Sequence, residues 1–597
     1  MEKMKYSLVL VLTFAILEHG HSNDDRSLTE RIFNSFNDIN RLFEKYVLHV
    51  DTEYWKLQDE AESEYDFVIV GGGSAGCVLA CRLSEVSQWR VLLLEAGEPE
   101  NTMIDIPALA PTFQKSKYDW AYRSVEQKTM AFGMEDHKMN IPRGKMLGGS
   151  SGLNFMMYVR GNKWDYDQWE AKGNPGWGYK DVLPYFMKSE AAHLSDVDPR
   201  YHNMEGYLNV EDSYRSTLTK TFLKGGPEIG LPLFDYNAPT RSFGVSPMQS
   251  TTHKGEEGDL SKGLLAPYYQ QDESGHSHGS VRHEDTHRRQ QESLRGAVRE
   301  EWKEARGAIN SPQLLMLSGI GPKKHLKHHG IKCLKDLPVG KNLMDHFFPD
   351  FVLNGTGLLS TIGGIMGVGF VKTNVSEIKA PVPDIEFMFM GGSIATGMGM
   401  FAVKSSRSQL TPSFFPAAMG IQPDYYDRLF GPLETGFQWT ISPVLMHPKS
   451  VGYVKLNSTD PHDPPIINPR YFSDPENHDV RTMIGGIREA QKLLKTAAFR
   501  EYGAKLHKVP MKGCDHHVFD SDGYWECALR SLISTLYHQI GTAKMGKKDD
   551  PTAVVDHRLR VHGVKALRVI DVSVMPVHIA GHPNAAAMMI GRRAPIT

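Results

Sequence analysis

The stretch Asp66-Phe-Val-Ile-Val70, Gly71-Gly-Gly-Ser-Ala-Gly76, Cys77-Val-Leu-Ala-Cys-Arg-Leu-Ser-Glu85 decides the fold. A short apolar run reads as a buried strand and the glycines as a tight turn. The next segment reads as a helix that sets Val78, Leu79 and Leu83 against a sheet. A second strand, Val91-Leu-Leu-Leu94, ends in Glu95. Gly71 permits the turn, Gly73 lets a pyrophosphate approach the backbone, and Gly76 allows helix and strand to pack closely. The N–H groups of the helix start, around Ser74 and Ala75, then point at the phosphates. Glu95 lies nineteen residues beyond Gly76, in place to accept hydrogen bonds from a ribose diol. Strand, turn, helix, strand and acid in this order predict a Rossmann-like dinucleotide unit in an α/β protein. The acid argues against a 2′-phosphate and leaves FAD and NAD both open.

The 597 residues are too many for one compact core and predict two domains, or one enzyme fold with a large insertion. A hydrophobic fraction of 40% and a charged fraction of 23% exclude wholesale disorder, and a net charge of −3 gives no basic face for nucleic acid. At the start, Lys3 and Lys5 precede an apolar run from Leu8 to Leu17 and the small residues Gly20 and Ser22. This pattern predicts a secretory signal peptide over 1–22 rather than a membrane anchor, because the run is too short to span a bilayer. Residues 23–62 form a polar lead. Asn354-Gly-Thr356, Asn374-Val-Ser376 and Asn457-Ser-Thr459 are acceptor sequences for glycosylation in a secreted chain. Five cysteines are too few for a stapled scaffold. Cys514 and Cys527 could pair across an Asp-rich loop, and Cys77 and Cys81 read as buried thiols on one helix face.

A second glycine loop, Pro142-Arg-Gly-Lys-Met-Leu-Gly-Gly-Ser-Ser-Gly-Leu-Asn154, can fold its N–H groups around a phosphate or flavin edge. Following the nucleotide unit, it resembles the first signature of the glucose-methanol-choline (GMC) oxidoreductases. Gly307-Ala-Ile-Asn-Ser-Pro-Gln-Leu-Leu-Met-Leu-Ser-Gly-Ile-Gly321 is similar to the second signature, and Leu337-Pro-Val-Gly-Lys-Asn-Leu-Met-Asp-His346 to the segment after it. Tyr537-His-Gln-Ile-Gly-Thr-Ala-Lys-Met-Gly546, Leu567-Arg-Val-Ile-Asp-Val-Ser-Val-Met-Pro576 and Ala580-Gly-His-Pro-Asn-Ala585 resemble the family's catalytic and flavin-contacting region. Within the family the resemblance extends to secreted insect FAD-dependent glucose dehydrogenases.

The resemblance implies a mixed α/β fold, with a Rossmann-like FAD domain assembled from discontinuous segments and a substrate domain whose β-sheet lies over the flavin. Residues 63–362 would carry the N-terminal region, 363–444 a substrate-domain segment that includes the Gly- and Met-rich stretch 391–401, and 445–592 the C-terminal region. It implies FAD contacts at Gly71, Gly73, Ser74, Ala75, Gly76, Glu95, Arg143, Met146, Gly148, Gly149, Ser150, Asn154, Asp571 and Asn584. Leu153 occupies a position where some relatives carry a FAD-linking histidine, so the expected FAD is noncovalent. Ala543 stands where relatives often have cysteine, without implied loss of chemistry.

The resemblance also places His538 and His582 at the active-site pair. Oxidation of an alcohol removes a hydroxyl proton as a hydride leaves for flavin N5, so a base is needed within hydrogen-bond reach. Imidazole titrates in the right range, and a second imidazole can hold the substrate oxygen. His538 is the expected base and His582 its partner, duties that coupled histidines can exchange. The expected reaction is oxidation of a sugar or other alcohol, glucose first, with electrons passed to a quinone-like acceptor. Choline or steroid alcohols, a noncatalytic binding module and a NAD-dependent dehydrogenase are the alternatives. Choline would want a carboxylate and an aromatic cage, which the sequence does not locate.

Residues 253–306 depart from this pattern. Tyr268 to Ala308 offers Val281 and Val298 amid charges, Gln and His, and reads as a disordered insert that leaves the sheet short of strands. His276, His278, His283 and His287 lack the spacing and scaffold of a metal site, and no metal is expected. A divergent solvated loop is the second account. The adopted account is that this segment and the ending Gly591–Thr597 are read in a shifted frame.

Overall fold

The computed structural model describes residues 65–99, 104–253, 256–257, 279–283, 298–304, 307–349, 355–356, 364–391, 419–430, 432 and 438–594. The expected leader and lead, most of 253–306, Asn354 and the stretch 392–401 lie outside them. The elements that position the site are, in chain order, β1 (Tyr65–Val70), α1 (Ser74–Ser84), β2 (Val91–Glu95), β3 (Gly244–Pro247), β4 (Gly279–His283), β5 (Val298–Glu304), α2 (Gly307–Leu317), β6 (Gly355–Thr356), β7 (Gly364–Val371), β8 (Ile385–Gly391), β9 (Gln438–Leu445), α3 (His478–Leu493), β10 (Leu567–Val569) and α4 (Pro583–Arg593).

The apolar runs of β1 and β2 pair in parallel, Phe67 to Val70 against Val91 to Leu94, in a five-stranded sheet ordered β4-β2-β1-β5-β10. Between them, α1 buries Val78, Leu79 and Leu83 as its spacing predicts, together with Cys77 and Cys81. The insert is a correction. Gly279–His283 pairs with β2, and Val298–Glu304 lies between β1 and β10, so the segment read as disordered supplies two parallel strands. The reason is tertiary: β1 and β2 each have a second edge of N–H and C=O groups that must be paired, and this demand overrides weak local β-propensity.

The second large sheet is antiparallel, ordered β6-β9-β8-β7-β3. Helix α3 lies against it, close enough that a Cβ on Gly486 would sit 3.0 Å from the Ile385 side chain. Phe222 and Phe389 stack with centroids 4.7 Å apart, and Trp439 lies 5.0 Å from Phe499. All four are buried, each aromatic side chain contributing about 1.5–3 kcal/mol by leaving water. A short antiparallel pair, Phe347–Pro349 with Ile533–Thr535, runs between the domains and sets residues 345–346 beside residue 538.

Cys514 and Cys527 form a disulfide that closes the Asp-rich loop. Asn374 and Asn457 are exposed. The ending is integral to the fold as far as Ala594: Gly591 packs on α1, and the Arg593 guanidinium lies 4.0 Å from the Trp177 ring centroid and donates to the Gly176 carbonyl at 2.6 Å. Among the described residues, no helix is long and apolar enough to cross a membrane, and no cluster could hold a metal ion.

A buried charge network fixes the strand-like segment that leads to the site. Arg160 and Glu190 pair at 2.6 Å, and His202 turns Nδ1 to Glu190 at 3.0 Å and Nε2 to Asp235 at 2.7 Å. Burial alone would depress the imidazole, but hydrogen bonds to Asp235 and Glu190 outweigh it and raise His202 to about 9. This folded value exceeds the ordinary 6.5, so the group's stabilisation is complete below pH 6.5 and lost as pH rises through about 9. Thermal melting should therefore fall between those limits more steeply in the parent protein than in H202Q, which lacks the titration. Parallel slopes for the two proteins would remove His202 from the account.

Candidate active site

Gly71, at φ 107°, makes the turn after β1, and Gly72 and Gly97 donate their N–H groups to the two Glu95 carboxylate oxygens at 2.7 and 2.8 Å. Glu95 thereby braces the turn from the end of β2. The second glycine loop docks on the first: Gly148 N–H donates to Gly72 O at 2.7 Å, and a Cβ on Gly149 would lie 2.7 Å from the Gly73 Cα. Around Gly73 only the Gly149 Cα lies near a notional Cβ, at 3.9 Å, so the backbone there can be approached. Gly73 caps α1 without a side-chain hydrogen bond, and the first turn of α1 holds no acidic residue. The result is a backbone cradle at a positive helix end, chemically matched to a pyrophosphate.

Helix α4 begins beside this cradle. Its N-cap is His582, also without a side-chain cap, and Ser74 Oγ donates to Asn584 Oδ1 at 2.7 Å. Other expected contacts are placed differently. Met146 buries its side chain among Ile104, Phe113, Tyr118 and Leu153, and its backbone is bridged to Glu98. Asp571 is a structural cap: its carboxylate accepts from Ser573 N–H at 2.7 Å and from Ser311 Oγ at 2.6 Å, tying β10 to α2. Ser150 Oγ accepts from Gly144 N–H at 3.1 Å, and Asn154 Oδ1 from Met156 N–H at 2.5 Å, so both stabilise the loop's own turn. Arg143 lies against Gly307, its cationic form disfavoured by burial and favoured by Asp571.

His538 and His582 meet, with ring centroids 4.5 Å apart and planes at 75°. His582 is held through its backbone. Its N–H donates to Val159 O at 3.0 Å, and Ala580 N–H donates to Asp165 at 2.7 Å. On the other side of the ring, Nε2 lies 3.1 and 3.2 Å from the two oxygens of Glu386, a wholly buried carboxylate on β8.

His538 follows Tyr537, whose φ of 64° is left-handed and costs a non-glycine residue about 1–3 kcal/mol. Asp345 offsets this cost. Its buried carboxylate accepts from His538 N–H at 2.9 Å, Gln539 Nε2 at 2.8 Å, Thr535 Oγ1 at 2.6 Å and the Tyr471 hydroxyl. Burial pushes Asp345 up to about 6 in spite of those donors.

Two further histidines complete the cluster. His346 reaches His538, Nδ1 to Nδ1, at 2.9 Å, and His578 stacks on His346 with centroids 3.4 Å apart. Burial first, and neighbouring imidazoles second, hold His538 and His346 well below the ordinary histidine range. His538 is therefore neutral near pH 7 and able to take a proton. In the sequence Asp345 and His346 stand only as the end of a motif, and nothing there singles out His578. A lone acid in the apolar run Ile385-Glu-Phe-Met-Phe-Met390 was the available signal for Glu386.

Sequence models described as GMC oxidoreductase match residues 65–348 and 448–591, more than half of the chain. The chain belongs to the GMC oxidoreductase family. It is 36% identical over 587 residues to a glucose dehydrogenase [FAD, quinone] of Drosophila pseudoobscura pseudoobscura, covering 90% of this chain and 87% of that one. The Drosophila melanogaster protein of the same description is 36% identical over 583 residues, with the same shares covered. Among solved structures, pyridoxine 4-oxidase from Mesorbium loti superposes with a TM-score of 0.70 at 26% identity, covering 89% of this chain and 98% of that one. As a GMC protein the chain is an FAD-dependent oxidoreductase, and the backbone cradle at α1 fits the cofactor's pyrophosphate.

Gly149 is the tightest element of the cradle. Alanine there combines a φ of +60° with a backbone clash 2.7 Å from Gly73, so G149A should bind FAD roughly tenfold or more weakly. Flavin absorbance per protein after gel filtration, with circular dichroism as the folding control, measures it. Normal flavin content in G149A would show that the two loops do not form the cradle.

Proposed function

We propose that this GMC oxidoreductase is secreted and oxidises the CH–OH group of a sugar or other alcohol, glucose first, delivering electrons to a quinone-like acceptor. The observation that carries this reading is the meeting of His538 and His582 at 4.5 Å beside the cofactor cradle. The printed descriptions of the Drosophila relatives support glucose and quinone. The pattern at residues 1–22 supports secretion, and the exposed Asn374 and Asn457 are the proposed glycosylated positions.

Gly71, Gly73, Ser74, Ala75 and Gly76 would hold the FAD pyrophosphate, Glu95 the ribose, and the loop containing Arg143, Met146, Gly148, Gly149, Ser150 and Asn154 the flavin side. Asp571 would contribute through its backbone and Asn584 through the start of α4. FAD is held without a covalent link at Leu153, because an alkyl side chain offers no nucleophile. When bound, the flavin accepts the hydride.

The Glu386 contact gives His582 its role. Glu386 orients the ring through Nε2, at 3.1 and 3.2 Å, and holds it beside His538. His582 is therefore the partner that holds the substrate oxygen, and the neutral His538 is the base that takes the hydroxyl proton. Glu386, committed to His582, is not free to receive a quaternary ammonium, which argues against choline.

Anaerobic addition of glucose and other sugars or alcohols to purified holoenzyme should bleach the flavin absorption. H538A should keep its flavin and lose turnover by roughly a hundredfold or more. Near-parent turnover in H538A would remove His538 from the mechanism, and a colourless, folded protein would favour a binding module. Acid precipitation should leave the flavin in the supernatant; flavin that stays with the polypeptide would contradict the noncovalent assignment.

A further inference from the structure

We propose that His346 is a positioning residue that fixes a hydrogen on Nδ1 of His538, leaving Nε2 of His538 as the atom that receives the alcohol proton. The inference deepens the assignment of His538 as base and rests on it. Its starting point is a carbonyl. Met446 O can only accept, and it lies 2.9 Å from His346 Nε2, so that nitrogen carries a hydrogen.

A second hydrogen on His346 would create a buried cation. The groups that face its ring are His538, His578 and His582, none of them an anion. The neighbouring carboxylate, Asp345, is spent on Thr535, Tyr471, Gln539 and the His538 backbone. His346 is therefore neutral, in line with the depressed basicity that burial and His578 impose. A neutral ring with hydrogen on Nε2 has a lone pair on Nδ1. The 2.9 Å contact between the two Nδ1 atoms needs one hydrogen, and only His538 can supply it.

Every other polar atom of His538 is committed. Its N–H donates to Asp345 at 2.9 Å, its carbonyl accepts from His578 Nε2 at 3.0 Å, and its Nδ1 donates to His346. The His578 tautomer is fixed in the same manner, because its Nδ1 accepts from Ile579 N–H at 3.1 Å. Among the described residues, Nε2 is the one polar atom of His538 with no protein partner. As the alcohol O–H bond breaks, its electron pair stays on oxygen and the proton forms an N–H bond at Nε2. His538 is then an imidazolium, and the hydrogen bond it donates to His346 becomes charge-assisted and stronger. His346 thus selects the reactive nitrogen and stabilises the charge that forms there.

The test compares H346F, which keeps a flat ring against His578 but offers no acceptor, with H346Q, which keeps both an acceptor and a donor. With flavin content equal to the parent, H346F should lose roughly tenfold or more in kcat with KM within about twofold. Its solvent deuterium isotope effect on kcat should rise as proton transfer becomes limiting, and H346Q should recover most of the rate. Parent-like kcat and isotope effect in H346F would overturn the proposal, as would H346Q no faster than H346F. Should H346F fail to fold, H346Q decides alone: near-parent kcat supports the proposal, and a loss as large as that in H538A overturns it. Failure of the underlying assignment has a different signature, namely full turnover in H538A.

Discussion

The first and last helices of the described chain touch backbone to backbone. A Cβ on Gly591 of α4 would lie 2.6 Å from the carbonyl oxygen of Ala75 in α1, a contact that only glycine permits without displacement. Near the other end of the same interface, Ser74 and Asn584 are joined by a hydrogen bond. Two helix N-termini are therefore locked together, and His582, the N-cap of α4, is placed relative to the glycine turn by packing rather than by a mobile loop. The rest of the site is referenced to this contact. The docked second glycine loop, the Asp571 cap on α2 and the segment that holds the His582 backbone all tie into the same block.

The antiparallel domain supplies what that block lacks. Glu386 enters from β8, and Met446 follows directly on β9, so both of the neighbouring sheet's contributions act on imidazoles rather than on open solvent. Gathering four histidines in a buried space would be costly if they were charged. The site avoids this for two of them by committing ring nitrogens to groups that leave no choice of proton, a carbonyl for His346 and a backbone N–H for His578, while a carboxylate orients His582. Low polarity then keeps His538 neutral, and the hydrogen-bond directions keep it oriented.

The nucleotide unit was legible in the sequence because its physics is local: an apolar strand, a turn that needs glycine, a helix with a buried face and an acid at a fixed interval. His538 and His582 were legible only through resemblance, since neither spacing nor composition distinguishes them from 24 other histidines in a total of 26. Glu386 showed only as a lone acid in an apolar run and His578 not at all, because what makes each of them functional is a partner nearly 200 or 40 residues away. The strands at Gly279–His283 and Val298–Glu304 failed for the opposite reason. Their residues carry a weak β signal, with Val281, Val298 and Trp302 set among charged and small residues, and the second edges of β1 and β2 assign them their places. The side chains of Met146 and Asp571, expected at the cofactor, serve packing and capping.

The strand order has a consequence for biosynthesis. In β4-β2-β1-β5-β10 the outermost strand beside β5 comes from residues 567–569, and the helix that completes the cradle follows at 583–593. As the polypeptide emerges from the ribosome, the nucleotide turn is made first, whereas β10 and α4, which complete its surroundings, follow only once residues 567–593 have been translated. Completion of the cradle therefore waits for residues 583–593 to emerge, and until then the nascent chain must keep its apolar sheet faces from aggregating.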